Sequence, residues 1–221
     1  MDLANWPLYG LRITTPRLEL RLPDLEELDA LASVAAGGVH DPERMPFRTP
    51  WTDAPPAERA RSVLTYFWKA QAEWRPEDWR LQLTVFADGS PVGIQEIAAT
   101  DFAVVREVST GSWLGLPHQG RGLGTEMRAA VLHLAFAGLG ARTARTAVLD
   151  GGAASRRITE RLGYRSDGAD RVAVRGTART EERFVLDRAA WQSHRRVEAH
   201  AEGVAACAAM LGAEKIPESA S

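Results

Sequence analysis

The sequence predicts an α+β fold, a mixed and mostly antiparallel twisted sheet flanked by helices. Three observations predict it. Period-two stretches occur at 18–22, 79–86 and 91–99, and the last two are joined by the two-residue turn Asp88-Gly89. Helical periodicity falls in separate blocks at 25–35, 56–74, 122–138 and 153–162. The order is a strand, two helices, three or four antiparallel strands, then strand-helix-strand-helix and two strands. That order confines parallel pairing to the strands on either side of the 122–138 helix.

Each element has its own signal. Leu18-Glu19-Leu20-Arg21-Leu22 alternates, Pro23-Asp24 ends it, and Asp24 is placed to cap the helix that follows. Leu25, Leu28, Leu31, Ala32 and Ala35 give that helix one apolar face, and Gly37-Gly38 stops it. Residues 37–55 read as a long loop with Pro42, Pro46, Pro50, His40, Phe47 and Trp51, and long ordered loops in compact domains are often functional. Pro55-Pro56 opens the second helix, and Val63, Leu64, Phe67 and Trp68 give it an apolar face. After the hairpin, 104–116 reads as one strand interrupted by Gly111 and Gly115. Met127, Ala130, Val131, Leu134, Ala135 and Gly138 recur at helical spacing. Residues 143–149 read as a short strand, 153–162 as a short helix stopped by Gly163, and 172–174 with 183–186 as a final strand pair. The expected domain is 1–190. The remainder, 191–221, reads as a peripheral helix around 197–211 and a frayed, polar terminus.

Composition narrows the functional classes. The 221 residues are 45% hydrophobic and 25% charged, ordinary values for a chain with a sizeable core. The formal charge of −2 and the lack of a basic run argue against nucleic acid as a partner. Cys207 stands alone, and His40, His118, His133, His194 and His200 lack metal-ligand spacing, so no metal is expected. Met1 to Gly10 has no basic, apolar leader pattern, and no stretch approaches the roughly 18–20 apolar residues that span a bilayer. A soluble, cytoplasmic protein with no membrane partner is expected. A homo-oligomer is left open.

The chemistry-bearing motif is Gln119-Gly120-Arg121-Gly122-Leu123-Gly124 at the start of a helix. Glycines let backbone approach an anion, the first helical amides are unsatisfied and at the positive end of the helix dipole, and Arg121 adds a full charge. A Walker-type loop needs Lys-Ser/Thr after the last glycine, where Thr125-Glu126 stands. A dinucleotide fingerprint needs Gly-x-Gly-x-x-Gly, and here the glycines fall at 120, 122 and 124.

The loop instead matches the Gln/Arg-x-x-Gly-x-Gly/Ala pattern of the GCN5-related N-acetyltransferase superfamily, and its neighbours extend that resemblance over about residues 11–190. Thr15-Pro16-Arg17-Leu18-Glu19-Leu20-Arg21 resembles the opening strand of the RimJ/RimL-like subfamily. Gly111-Ser112-Trp113-Leu114-Gly115 resembles the bulged strand before the loop, and Gly124-Thr125-Glu126-Met127 resembles the helix start. The stretch from Ala154 to Tyr164 resembles the second cofactor-side helix. Residues 12–18 and 112–116 are also similar to actinobacterial members described as succinyl-CoA-binding. The resemblance implies a splayed strand pair holding an acyl-coenzyme A, acetyl-CoA or succinyl-CoA. Leu114, Gly115 and Leu116 would pair with the pantetheine arm. The amides of Gly120, Arg121, Gly122, Leu123, Gly124 and Thr125, with Gln119, would hold the pyrophosphate, and Ser155 would lie beside the thiol. Three positions depart from the family: Gly152 where Asn is usual, Thr159 where many members carry an acidic Tyr, and Ser109 where a Glu is often found.

Acyl transfer to an amine needs a neutral amine, an activated thioester and a proton for the leaving thiolate. Ser155 is the candidate proton donor, Glu96 and Asp101 are candidate bases, and His118 is a weaker one. A succinyl carboxylate would need a cation near the thioester, for which Arg48 and Arg106 are sources. Trp51, Trp68, Trp74 and Trp79 fall in the region that forms the acceptor side in the family, and Trp51 and Trp113 are the expected substrate contacts. The expected activity is N-acyl transfer to a primary amine on a small molecule or peptide, by direct attack in a ternary complex. Two other readings stay open: a transferase of this fold using aminoacyl-tRNA, and a non-catalytic acyl-CoA-binding module.

Overall fold

A computed structural model of the chain describes residues 4–214. Nine strands form one sheet: β1 (Arg12–Thr14), β2 (Leu18–Arg21), β3 (Asp78–Ala87), β4 (Ser90–Thr100), β5 (Glu107–Leu114), β6 (Thr143–Leu149), β7 (Arg165–Val174), β8 (Thr177–Asp187) and β9 (His200–Glu202). Their order is β7-β8-β6-β5-β4-β3-β2-β1-β9. Every neighbouring pair is antiparallel except β5 and β6. The helices are α1 (Leu25–Ala36), α2 (Pro56–Ala72), α3 (Phe102–Val105), α4 (Leu123–His133), α5 (Ala153–Arg161), α6 (Arg188–His194) and α7 (Val204–Cys207). Among the described residues no helix is long and apolar enough to cross a membrane.

Cross-strand partners share a face of the sheet. Thr84, Ile94 and Trp113 are in register, as are Gln82, Glu96 and Gly111. This face carries α1 and α2: Arg21 of β2 pairs with Glu27 of α1, and Tyr66 of α2 donates to Glu96. Leu83, Gln95 and Ser112 line the opposite face, where α4 packs through Arg128 onto Ser112. The core runs through both layers, from Leu20, Leu28 and Leu31 to Ala130, Val131 and Phe136.

Local chemistry explains the element boundaries. Asp24 caps α1 as expected, and Glu27 returns the bond to the Asp24 amide, so a complete capping box starts the helix. Arg21 and the Asp24 amide hold the Glu27 carboxyl below its usual range.

The predicted strand 104–116 is shorter than expected. Asp101 and Arg106 both adopt left-handed backbone conformations and isolate one helical turn, α3, between them. That turn plugs Phe102 into the core and leaves Val104 at the surface. Nor is β5 bulged: its pairing with β4 runs in step from Ala98↔Ser109 to Gly93↔Leu114. The helical pattern of 122–138 ends in a π-helical turn over Leu134–Gly138, and the last two strands of the sheet extend well beyond 172–174 and 183–186.

The expected helix around 197–211 is a second correction. This stretch holds β9, which pairs with β1 at the sheet edge, then α7 after a left-handed Gly203. Trp74 and Trp79 donate their indole N–H groups to the carbonyls of Met210 and Leu211, and Cys207 and Leu211 are buried. Burial against the sheet edge therefore overrides the helix propensity of the alanines. The frayed terminus expected after Glu214 lies outside the described residues.

Gly203 separates the two readings experimentally. A Cβ there would overlap the Gly10 carbonyl, and φ is +75°. Gly203→Ala is expected to destabilise the fold by about 2 kcal/mol in urea unfolding, whereas a helix would gain about 1 kcal/mol.

Candidate functional site

The parallel pair β5–β6 opens partway along its length. Glu107↔Thr143, Val108↔Ala144 and Ser109↔Arg145 are paired; Gly111 to Leu114 and Ala147 to Leu149 are not. Two threonines close the paired end: Thr110 donates to the Arg145 carbonyl and Thr146 to the Thr110 carbonyl. At the other end the Leu114 carbonyl accepts from the Gln119 side chain. Strand backbone alternates, so Thr110, Ser112 and Leu114 all turn their main-chain groups into the gap. The carbonyls of the first and last are taken up, which leaves the amide and carbonyl of Ser112 and the amide of Leu114 facing it.

The gap runs to the glycine loop. Gly120 and Gly122 have φ of +73° and +82°, which glycine adopts without strain. Gly122 is the N-cap of α4 and accepts from the amides of Thr125 and Glu126. Among the described residues no protein acceptor takes the amides of 120–124, so these donors are free for an anion. Gly124 serves packing instead, since a Cβ there would lie 3.1 Å from Ile158 Cδ1 on α5.

Gln119 acts as a strut, donating to Val39 and Leu114 carbonyls at 2.7 and 2.8 Å. A second strut comes from the first β-hairpin. Glu126 is only 6% exposed and accepts from the Thr15 hydroxyl, the Arg17 amide and the Arg17 guanidinium. Arg17 also donates to the Arg121 carbonyl, which puts a second cation beside Gly122.

Glu96 flanks the gap on the α2 face. Its carboxylate lies beside Gly111 of β5, with Oε1 at 3.8 Å from where a Cβ would stand, an ordinary contact distance. Tyr66 donates to it at 3.1 Å, Gln82 donates to it, and Arg80 lies 3.5 Å away. Burial, reinforced by the charge of Glu96, pushes the Tyr66 phenol up to about 12, so it remains a donor at neutral pH. Trp113 lies next to Glu96 on the same face and continues into an aromatic row: Trp51 at 5.8 Å, Phe47 at 5.4 Å from Trp51, and His40 at 5.6 Å from Phe47. On the other side of Glu96 is a polar groove of about 210 Å³ lined by Arg80, Ala98, Ser109, Glu107 and Arg145.

The α4 face is different. Arg128 is 4% exposed and donates to Thr159 Oγ1 and Ser112 Oγ at 3.1 and 3.3 Å. Thr159 is fully buried and in turn donates to the Ser155 carbonyl, so Ser155 lies one helical turn away with its hydroxyl half-buried. Burial pulls the Arg128 guanidinium below its ordinary range. Gly152 has no room for a larger residue, because a Cβ would stand 2.7 Å from Val148 Cγ1.

The structure thus gathers the loop 119–125, Ser155, Glu96, Trp113 and Trp51 around one gap. Leu114, Gly115 and Leu116 also border it: Gln119 takes the Leu114 carbonyl, Gly115 donates to the Val92 carbonyl and Leu116 to the Gly38 carbonyl. Pro117 turns the chain away there, and the open backbone lies at Ser112 and the Leu114 amide. Asp101 is exposed on the turn after β4, five residues or about 17 Å along the chain from Glu96. His118 is half-buried on the turn before the loop. Trp79 is core, Trp74 stacks on it, and Trp68 faces solvent, so these three do not join the aromatic row. Arg106 stacks over Phe102 and donates to the carbonyls of Leu139 and Glu214, away from the gap; Arg48 lies near Glu181. Cys207 is buried beside the sheet edge, its thiol pushed up to about 11. Among the described residues no cluster of His, Cys, Asp and Glu gathers to hold a metal ion.

Arg17, Glu126, Tyr66, Gln82 and Arg128 went unread as site residues. Arg17 and Glu126 fall within the quoted motifs, but only long-range contact reveals what any of the five does.

A strand pair that splays beside a glycine loop at a helix start defines a fold for holding a phosphate-bearing carrier. Residues 17–165 match the acetyltransferase (GNAT) domain, and the chain belongs to that family. Its fold is similar to that of a GCN5-related N-acetyltransferase from Brucella melitensis, at 21% identity and a TM-score of 0.65, covering 83% of this chain and 81% of that one. Mycobacterium smegmatis RimJ in complex with CoA-disulfide is similar at 15% identity and a TM-score of 0.63, covering 95% and 97%. RimL, a ribosomal L7/L12 alpha-N-protein acetyltransferase in complex with coenzyme A, is similar at 16% identity and a TM-score of 0.59, covering 78% and 95%.

The buried anchor of the loop is testable without a ligand. Glu126→Ala orphans the Thr15 hydroxyl and the Arg17 amide, and is expected to lower unfolding free energy by about 2–3 kcal/mol. Arg121→Ala keeps the backbone carbonyl that Arg17 uses and is expected to stay within about 0.5 kcal/mol of the wild type.

Proposed function

We propose that the chain transfers an acetyl group from acetyl-CoA to a primary amine by direct attack within a ternary complex. The observation that carries this reading is the Ser112 backbone, open in the gap between a free-amide anion loop and a hydrogen-bonded carboxylate. The amides of 120–124, with Arg121 and Arg17, receive the pyrophosphate. The pantetheine arm lies in the gap against Ser112, whose amide is placed to polarise the thioester carbonyl. Glu96 accepts the proton of the attacking amine, directly or through a water, and the donors around it fix its position. Trp113 and Trp51 flank the acceptor.

An α-amine titrates near 8 and is partly neutral at cellular pH, whereas a lysine is not. One weak base therefore suits a peptide N-terminus or a small-molecule α-amine. Acetyl-CoA is favoured over succinyl-CoA because both candidate cations are engaged elsewhere, Arg48 beside Glu181 and Arg106 on the carbonyls of Leu139 and Glu214. The acidic net charge disfavours an aminoacyl-tRNA donor, and the hydrogen-bonded array around Glu96 favours an enzyme over a passive binder.

Two measurements test the reading. Gly122→Asp puts negative charge where phosphate binds and is expected to weaken CoA binding at least tenfold by calorimetry while the circular dichroism spectrum is retained; unchanged affinity would sink the loop assignment. With acetyl-CoA and a panel of N-terminal peptides and small amines, thiol release should give intersecting initial-rate lines, not the parallel lines of a covalent acyl-enzyme. Glu96→Gln should lower kcat/KM for the amine by about 10²–10³-fold with the KM for acetyl-CoA unchanged.

A further inference from the structure

Arg128 is a buried cation that the fold leaves uncompensated. It sits in the second turn of α4 and points between β5 and α5. Its two identified partners, the hydroxyls of Ser112 and Thr159, are neutral. Its Nε is buried with no hydrogen-bond partner. Among the described residues the ionisable group that acts on it is the phenol of Tyr164, buried as well and neutral at ordinary pH; no carboxylate does so. Arginine keeps its proton even when burial pulls on it, so the charge persists. A buried ion without a counter-ion is costly, and an anion that reached its unspent donors would offset that cost.

Position identifies that anion. Glu96 and Arg128 stand on opposite faces of β5, against the adjacent residues Gly111 and Ser112. Acyl transfer creates charge of opposite sign at the two ends of the reacting unit. The amine becomes positive as its nitrogen bonds to the carbonyl carbon, and the sulfur becomes negative as the carbon–sulfur bond breaks. The carboxylate lies on the acceptor side. The guanidinium lies on the opposite face of β5, beside Ser112 and away from the base.

We propose that Arg128 is a catalytic residue that receives the negative charge of the departing CoA thiolate, using donors not spent on Ser112 and Thr159. This rests on the acyl-CoA reading of the gap given above. In the step the amine nitrogen forms the new bond to the acyl carbon. The carbon–sulfur electron pair goes to sulfur, and the amine proton passes to Glu96 and then to solvent. CoA departs as a thiolate and takes its proton from water outside the site. Ser155 then needs only to hydrogen-bond the sulfur.

The test is the acidity of bound CoA. Thiolate absorbance is titrated for CoA saturating the full-length protein and for CoA alone, whose thiol should ionise near the usual value of about 8.5. The bound thiol is expected to ionise about one pH unit or more lower. Arg128→Met should abolish most of that shift and Arg128→Lys should keep part of it. The Arg128→Met kcat should fall about 10²–10³-fold with the KM for acetyl-CoA within about threefold. A merely structural role, pinning α5 to β5, predicts lower stability of Arg128→Met with the thiol shift intact, and that result overturns the proposal. So does a bound thiol in the wild type that titrates like free CoA, a measurement that stands even if the variant does not fold. Failure of the wild type to bind CoA by calorimetry instead overturns the acyl-CoA reading itself.

Discussion

A strand pair that lets go is the constraint on which the rest of this structure depends. β5 and β6 are joined by a crossover through α4, and they pair for only three residues. Beyond Ser109 and Arg145 each strand has a different neighbour to satisfy. β6 is zipped to β8 over its full length, while β5 follows β4 in step to Leu114. The hydroxyls of Thr110 and Thr146 cap the point of divergence with side-chain hydrogen bonds, so the last paired carbonyls are not orphaned. Past that point the backbone of Ser112 has a donor and an acceptor that the protein does not use. An unpaired strand segment in the middle of a sheet is unfavourable unless something else binds there.

That single opening decides what its surroundings can do. Because side chains alternate, the residues beside the gap on β5 divide by face. Gly111 lies beside Glu96 on the α2 face, and Ser112 meets Arg128 on the α4 face. One strand thus separates a carboxylate from a guanidinium that would otherwise neutralise each other. The Arg80, Tyr66 and Gln82 contacts hold Glu96 in place without burying it fully. The helix face offers Arg128 only hydroxyls, which orient it but leave its charge uncancelled.

Much of this was legible in the sequence. The α+β class, the hairpin turn at Asp88-Gly89, the capping residue Asp24 and the glycine loop are all local signals, carried by residues within a few positions of each other. What was missed is non-local. Val104-Val105 resembles strand, so the sequence predicts too long a strand at 104–116, and nothing local reveals that Asp101 and Arg106 adopt left-handed conformations. The alanine-rich 197–211 segment has helix propensity, but Cys207 and Leu211 gain more by burial beside the indoles of Trp74 and Trp79. Arg128 sits in an amphipathic helix as if it were an ordinary surface residue. Its importance follows only from Ser112 and Thr159, which lie 16 and 31 residues away.

The loop 37–55 ties these parts into one device. At its start the carbonyls of Gly38 and Val39 accept from Leu116 and Gln119, so it is docked on the anion cradle. In its middle His40 is within hydrogen-bond distance of Thr52, and Phe47 and Trp51 carry the aromatic row to Trp113. Met45 packs with Leu149, Val172 and Val174, and Arg175 at the β7–β8 turn holds the Pro42 carbonyl and Asp53. The segment is therefore fixed to the sheet on both sides of the gap. A loop pinned at both ends gives up little further entropy on binding, so in the proposed function an acceptor that met its rings would cost little ordering. The same pinning ties the glycine loop and the aromatic row together, so their spacing is set by the fold.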